Sequence, residues 1–172
     1  LCTSWAFQHR HPHNLLSIFL FTLTFSWGIA RTCAVLYEAG LGKQIAIASG
    51  LTAFATATIT SFALLSKKDF SCWRAGLVVS LLIFCVSGVL SLLCQHMRGP
   101  YPYIFRHACG VVLFSLYLLY DVHMLSTTVG VDDYIPAAIS IYLDILNLFL
   151  QLLSLIIKSI VEAEEEDKKK KQ

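Results

Sequence analysis

Charged residues are scarce and unevenly placed in this chain of 172 residues. Only 14% of its residues are Asp, Glu, Lys or Arg, against about 25% in ordinary soluble domains. Nine of these 24 residues lie between Glu162 and Lys171, whereas residues 11–30, 44–66 and 75–97 contain none. This distribution excludes a soluble globular domain. A net charge of +2 also excludes a nucleic-acid-binding protein, because it provides no basic surface.

Proline is also rare. Pro12 and Pro136 lie at the starts of two charge-poor runs, and Pro100 and Pro102 lie between such runs. The runs have the length that a bilayer-spanning helix needs, roughly 20 residues at about 1.5 Å each. We therefore predict an all-α, polytopic transmembrane helix bundle in contact with the lipid bilayer. The five predicted helices cover residues 14–36, 44–65, 75–95, 104–124 and 134–157. By domain, we expect a juxtamembrane segment at 1–13, the bundle at 14–160 and a disordered charged tail at 161–172.

Two carboxylates interrupt the last two hydrophobic runs. Asp121 is the only charged residue of residues 107–131, and Asp144 is the only one of residues 134–157. A charged side chain at the centre of a bilayer costs about 2.5–3.5 kcal/mol on insertion scales. Two such residues indicate a functional site. The alternative is that each aspartate only caps a helix or extends to the membrane surface.

Asp144 belongs to a stripe of polar residues on one face of the last predicted helix. Its members are three or four residues apart, so they project from the same side of a helix. Because lipid cannot satisfy polar groups, this face must contact other helices or water. On the preceding helix, Tyr117 lies one turn before Asp121 and offers a hydroxyl to the same interior. The stripe consists of Ser140, Asp144, Asn147, Gln151 and Ser154.

An antiparallel pairing of the last two helices would bring Asp121 and Asp144 together. Two carboxyl groups at hydrogen-bonding distance in a low-dielectric site share a proton, which makes a pH sensor. The same pair, doubly ionised, is a transient calcium site, because calcium prefers carboxylate oxygens. The six cysteines show neither a Cys-x-x-Cys motif nor a zinc-binding spacing, and we expect no cofactor.

The segments Tyr120–His123 and Asp133–Leu150 resemble the signature of the transmembrane Bax inhibitor motif family. His11–Leu15 and Ser66–Phe70 resemble its branch of lifeguard and Golgi anti-apoptotic proteins. The likeness extends over residues 8–157. It implies a bundle of seven helices, of which five are present here. The first two have no counterpart, and we expect the chain to be truncated at its N-terminus.

The resemblance also implies a function. It predicts a pH-sensitive calcium leak channel in the endoplasmic reticulum, the Golgi or the plasma membrane, which modulates calcium homeostasis and suppresses cell death. By this resemblance, Asp121 and Asp144 would form its gating pair, and calcium would be the permeant ion. The lining or supporting polar residues would be Tyr117, Ser140, Asn147 and Gln151. Partners would be calcium and membrane proteins that regulate cell death.

Two other classes remain as alternatives. A non-conducting membrane scaffold that binds cell-death regulators would carry the same polar stripe, because such stripes also hold helices together. An intramembrane aspartyl protease would also place two aspartates on adjacent helices, the first in a Tyr-Asp pair, as at Tyr120. Such proteases precede the second aspartate with small glycines, whereas this chain has Tyr142 and Leu143. We therefore expect no enzyme.

Overall fold

The computed structural model describes residues 13–66, 68–93, 100–127 and 134–170, and none of these residues is in a β-strand. They form five long helices and one short 3-10 turn at Ser71–Trp73. The predicted all-α class is confirmed. The juxtamembrane segment predicted at 1–13 lies outside the described residues, except that the first helix begins at His13. The helices are α1 (His13–Glu38), α2 (Gly42–Leu65), α3 (Arg74–Leu93), α4 (Pro100–Thr127) and α5 (Tyr134–Lys170).

Each long helix contains a segment that is long and apolar enough to cross a membrane. These segments agree with the five hydrophobic helices predicted from the sequence, because both follow the stretches that contain few charged residues. The chain is therefore an integral, multi-pass membrane protein. The candidate spans are Ile18–Glu38, Gly42–Leu65, Ser71–Leu90, Tyr103–Thr127 and Pro136–Val161.

The largest differences from the predicted boundaries are at the ends of α4 and α5. Helix α4 begins at Pro100 rather than at 104, because proline fits the first turn of a helix, where its missing N–H has no partner to lose. Helix α5 continues to Lys170, although a disordered tail was expected from residue 161. Glu and Lys have high helix propensity, and Glu residues four positions before Lys residues favour the helix further. The division of the chain into three segments stays a prediction.

The chain divides into two compact units, with the boundary in the sequence between Ile45 and Ala46. In the first unit, α1 ends in a turn at Gly40, whose φ of 83° lies in the left-handed region. The Gly40 N–H donates to the carbonyl of Tyr37, and the Leu41 N–H donates to that of Leu36. Glycine tolerates this conformation because it has no Cβ, which explains the stop after α1. Large side chains on α1 are exposed, as lipid contact requires; Trp27 is 72% exposed.

In the second unit, α4 and α5 form the most extensive helix pair. Leu118 of α4 and Leu148 of α5 are fully buried. Helix α3 packs against α4, where the rings of Phe84 and Phe114 meet edge to face at 5.9 Å. The outward side chains of α3 are apolar and exposed, for example Ile83 at 65%. The α4–α5 interface is thus the interior of this unit, and it contains both intramembrane aspartates.

Candidate functional site

Asp121 on α4 and Asp144 on α5 are hydrogen-bonded to each other through their side chains. A carboxylate oxygen can only accept, so a bond between two carboxyl groups needs a proton on one of them. Asp144 is 7% exposed. Among the described residues, none hydrogen-bonds to its Oδ2. The geometry therefore places two carboxyl groups side by side in the protein interior, where a hydrogen bond between them requires one proton.

Ser140 lies one turn before Asp144 on α5, and its side chain is within interaction distance of the Asp121 carboxyl group. Helix α5 thus provides two contacts to one carboxyl group of α4. Both contacts come from the same face of α5, because Ser140 and Asp144 are four residues apart. The structure therefore brings together three of the residues selected from the sequence.

Tyr117 and Asn147 lie beside this group without a hydrogen bond to it among the described contacts. Tyr117, one turn before Asp121, lies within electrostatic range of both carboxyl groups. Its hydroxyl is buried, and no described residue hydrogen-bonds to it. Asn147 is half-buried on the polar face of α5. Tyr117 is four residues before Asp121 and Asn147 is three residues after Asp144, so each is about one helical turn from a member of the pair.

Gln151 does not contact the carboxyl pair. Its Oε1 lies 2.5 Å from Nδ1 of His107 on α4. The polar face of α5 is therefore divided between two contacts with α4, one at Asp144 and one at Gln151. Sequence reasoning missed His107. The signal was present, because His107 precedes Asp121 by fourteen residues, a spacing that returns a helix to nearly the same face.

A third polar contact attaches the segment between α2 and α3 to the end of α4. The backbone N–H and hydroxyl of Ser71 donate to Oδ1 of Asp69 at 2.8 and 2.5 Å. These hydrogen bonds hold the pKa of Asp69 below its ordinary value. Nε2 of His123 lies 3.8 Å from the same oxygen, and the Phe70 ring meets the His123 ring edge to face at 5.1 Å. His123 therefore contacts this loop. It is only two residues from Asp121, but it lies on another face of α4.

The carboxyl pair provides too few ligands for a resident metal ion. Within the described ranges, no group of three or more His, Cys, Asp and Glu side chains could hold one. Calcium takes six to eight oxygen ligands, and Asp121 and Asp144 together offer four. A calcium ion at this pair would need at least two further oxygen ligands from water or other groups.

Comparison with known proteins identifies the family. A family model described as "Inhibitor of apoptosis-promoting Bax1" matches residues 1–160, nearly the whole chain. The chain belongs to the Bax inhibitor motif family. The predicted family is therefore confirmed, and the polar helix pair of this Bax inhibitor motif protein lies within the matched region.

Several relatives have names that refer to protection from cell death. The chain is 36% identical to protein lifeguard 4 of Mus musculus over 146 residues, which cover 85% of this chain and 58% of that protein. It is 36% identical to the Golgi anti-apoptotic protein of vaccinia virus (strain Lister) over 149 residues, which cover 87% and 60%. It is also 31% identical to protein LIFEGUARD 1 of Arabidopsis thaliana over 151 residues, which cover 88% and 63%.

This Bax inhibitor motif protein spans about 58 to 63% of the length of these relatives. Its membrane character and family follow from the matched region itself. The names of the family and of its relatives are those of regulators of cell death, not of enzymes. The activity of the whole protein is addressed below as a proposal.

Proposed function

We propose that this protein is a pH-sensitive calcium leak channel of an intracellular or plasma membrane, and that it restrains cell death by lowering stored calcium. The observation that carries the proposal is the hydrogen-bonded pair of Asp121 and Asp144, held inside the α4–α5 interface. The names of the family and its relatives support the anti-apoptotic role. The Golgi anti-apoptotic relative favours a Golgi or endoplasmic-reticulum membrane.

The cost of the pair argues for a role beyond packing. An isolated charge in the middle of a spanning helix costs about 2.5–3.5 kcal/mol on insertion scales. Apolar residues would hold α4 and α5 together without that cost, as Leu118 and Leu148 do nearby. A site that retains two carboxyl groups there is suited to binding protons or cations.

Protons and calcium compete for this pair. With one shared proton the carboxyl groups bind each other, and the path beside them is closed. When both are ionised they repel, and a divalent cation between them offsets that repulsion. The proton therefore controls access of calcium to the site, and the flux depends on pH. Ser140 positions Asp121 for both states through its contact with the carboxyl group.

The polar face of α5 supplies the rest of the path. Asn147 and Gln151 continue from Asp144 along the same side of the helix. Tyr117 adds a hydroxyl from α4 near the pair. These neutral groups can replace part of the water around a cation without trapping it, as conduction requires.

The experiment is calcium-dye flux into proteoliposomes, from about pH 6 to pH 8, for this chain and for Asp144→Asn. Glu38→Gln is the matched control, because it neutralises an exposed carboxylate at the end of α1. The proposal predicts pH-dependent flux for the chain and for the control, and loss of the pH dependence in Asp144→Asn. Absence of flux above empty liposomes, with full dye response to an added ionophore, would contradict it and favour a non-conducting scaffold.

A further inference from the structure

A second titratable group lies on the same interface as the carboxyl pair, at the other end of α4. Residues of α4 that face α5 recur at spacings of three, seven and four, which defines one side of the helix. His107 is the first of them, about 21 Å along the axis from Asp121. The set consists of His107, Gly110, Tyr117 and Asp121.

His107 is enclosed by protein. It is 7% exposed, and the Tyr103 ring lies against it with ring centroids 4.3 Å apart. Its Nδ1 lies 2.5 Å from Oε1 of Gln151. Because a carbonyl oxygen only accepts, Nδ1 carries the hydrogen of the neutral ring. The lone pair is then on Nε2, which is buried and has no hydrogen-bond partner among the described residues.

Two cationic side chains lie near His107 within the described part of the chain. Arg106 precedes it on α4, and the guanidinium carbon lies 5.1 Å from the centroid of the Phe84 ring of α3. Lys158 of α5 places Nζ 6.0 Å from the centroid of the Tyr103 ring. The carboxyl pair lies farther along the interface. A proton on Nε2 of His107 would thus lie on the same part of the interface as the positive charges of Arg106 and Lys158.

We propose that His107 is a second proton-controlled element of the permeation path, separate from the carboxyl pair. The proposal rests on the calcium leak proposed for this protein and adds a second group through which pH regulates it. His107 binds Gln151, whose face of α5 also carries Asp144, about 10 Å away along the axis. Imidazolium at this point repels a divalent cation that approaches or leaves the pair. Neutral imidazole does not, so protonation of His107 lowers calcium flux.

The decisive variant is His107→Asn. The asparagine amide can still donate to Gln151 but cannot gain a charge, so packing is retained while the switch is removed. His123→Asn is the matched control, because His123 is also buried on α4 but contacts the loop at Asp69 and Phe70. In the proteoliposome assay we expect equal fluxes of His107→Asn and the parent chain near pH 8. With the assay extended to about pH 5, the variant should conduct several-fold faster than the parent chain, because a unit charge about 10 Å along the axis no longer acts on the divalent ion. His123→Asn should follow the parent chain.

A spectroscopic readout separates this inference from the leak itself. In protein labelled with ¹⁵N-histidine, the ring signal that disappears in His107→Asn belongs to His107. It should show proton uptake within about pH 5 to 8, where histidine changes charge. If His107→Asn does not fold, Gly110→Ala replaces it: a Cβ there would lie 2.7 Å from Cδ of Gln151, which displaces the partner of His107 and shifts the midpoint of the pH response. A Cβ at Gly76 would meet nothing within 4 Å, so Gly76→Ala should leave the midpoint of the pH response unchanged.

The outcomes are distinct. If His107→Asn keeps the parent's pH profile while Asp144→Asn loses it, the leak stands and the role of His107 is wrong. A His107 signal that stays neutral down to about pH 5 also overturns this inference and leaves the leak intact. If the parent chain shows no flux at any pH, the leak fails and this inference fails with it. A purely structural histidine would change stability in His107→Asn but would not change the ratio of the fluxes at the two pH values.

Discussion

Gly110 of α4 lies directly against the side chain of Gln151 of α5. A Cβ at position 110 would lie 2.7 Å from Cδ and 2.9 Å from Oε1 of Gln151. Real side chains do not approach so closely, so Gln151 occupies this position because residue 110 has no side chain. The close approach places Oε1 at Nδ1 of His107 and keeps a polar amide inside the helix pair.

Gly110→Ala should therefore destabilise the protein. Gln151 must move and lose its bond to His107, with a cost of about 1–3 kcal/mol in the free energy of unfolding. Gly76→Ala on α3 meets open space and should be neutral or slightly stabilising, because alanine favours a helix. Unfolding of both variants by sodium dodecyl sulfate in mixed micelles measures the difference. Equal stabilities would show that α4 and α5 are not packed as described.

Ser140→Ala should weaken the connection between α5 and Asp121. The variant removes a polar contact with a buried carboxyl group, and a hydrogen bond contributes about 1–3 kcal/mol when one partner is charged. Ser159→Ala is the control, since Ser159 is exposed and bonds only to the carbonyl of Ile156 within the described contacts. The same unfolding measurement applies. If Ser140→Ala loses no more stability than Ser159→Ala, Ser140 does not stabilise the site.

The attachment of the α2–α3 loop should depend on pH through Asp69. Hydrogen bonds from Ser71 lower the pKa of Asp69, so the folded state binds this proton less readily than the unfolded state. The stabilisation is then present above the unfolded carboxyl pKa of about 3.9 and is lost as the pH falls through the lower folded pKa. Asp69→Asn keeps an acceptor for Ser71 and removes the charge.

Thermal unfolding in detergent, at about pH 6 and about pH 3, checks this sign. The parent chain should be more stable than Asp69→Asn at the higher pH, and the difference should shrink at the lower one. Glu38→Gln provides the comparison for loss of an exposed carboxylate elsewhere. A difference that is constant or that grows as the pH falls would contradict the lowered pKa of Asp69.

The sequence was sufficient to predict the positions of the helices, because charged residues and prolines mark where they begin and end. Each run without charge became a membrane-length helix, and the five predicted centres all lie within α1 to α5. The expected approach of Asp121 and Asp144 also follows from the sequence, since a short connection makes α4 and α5 antiparallel. Boundaries were less accurate where a helix tolerates proline in its first turn, and where α5 continues through a block of acidic residues followed by lysines.

Contacts between residues that are distant in the chain could not be predicted from the sequence. The polar face of α5 is continuous in the sequence, yet the structure assigns Asp144 to the carboxyl pair and Gln151 to His107. That division depends on the close approach at Gly110, which no spacing within α5 reveals. The contact of His123 with the loop at Asp69 likewise depends on how the α2–α3 connection folds back onto α4.

The most direct test of the central claim is a double-mutant cycle on the gating pair. Calcium flux is measured across the pH range for Asp121→Asn, Asp144→Asn and the double variant in the same proteoliposomes. A shared proton belongs to both residues, so each single variant should abolish the pair's pH response, and the double variant should add nothing further. Independent effects that add in the double variant, or single variants with the parent's pH profile, would contradict a gate made of Asp121 and Asp144.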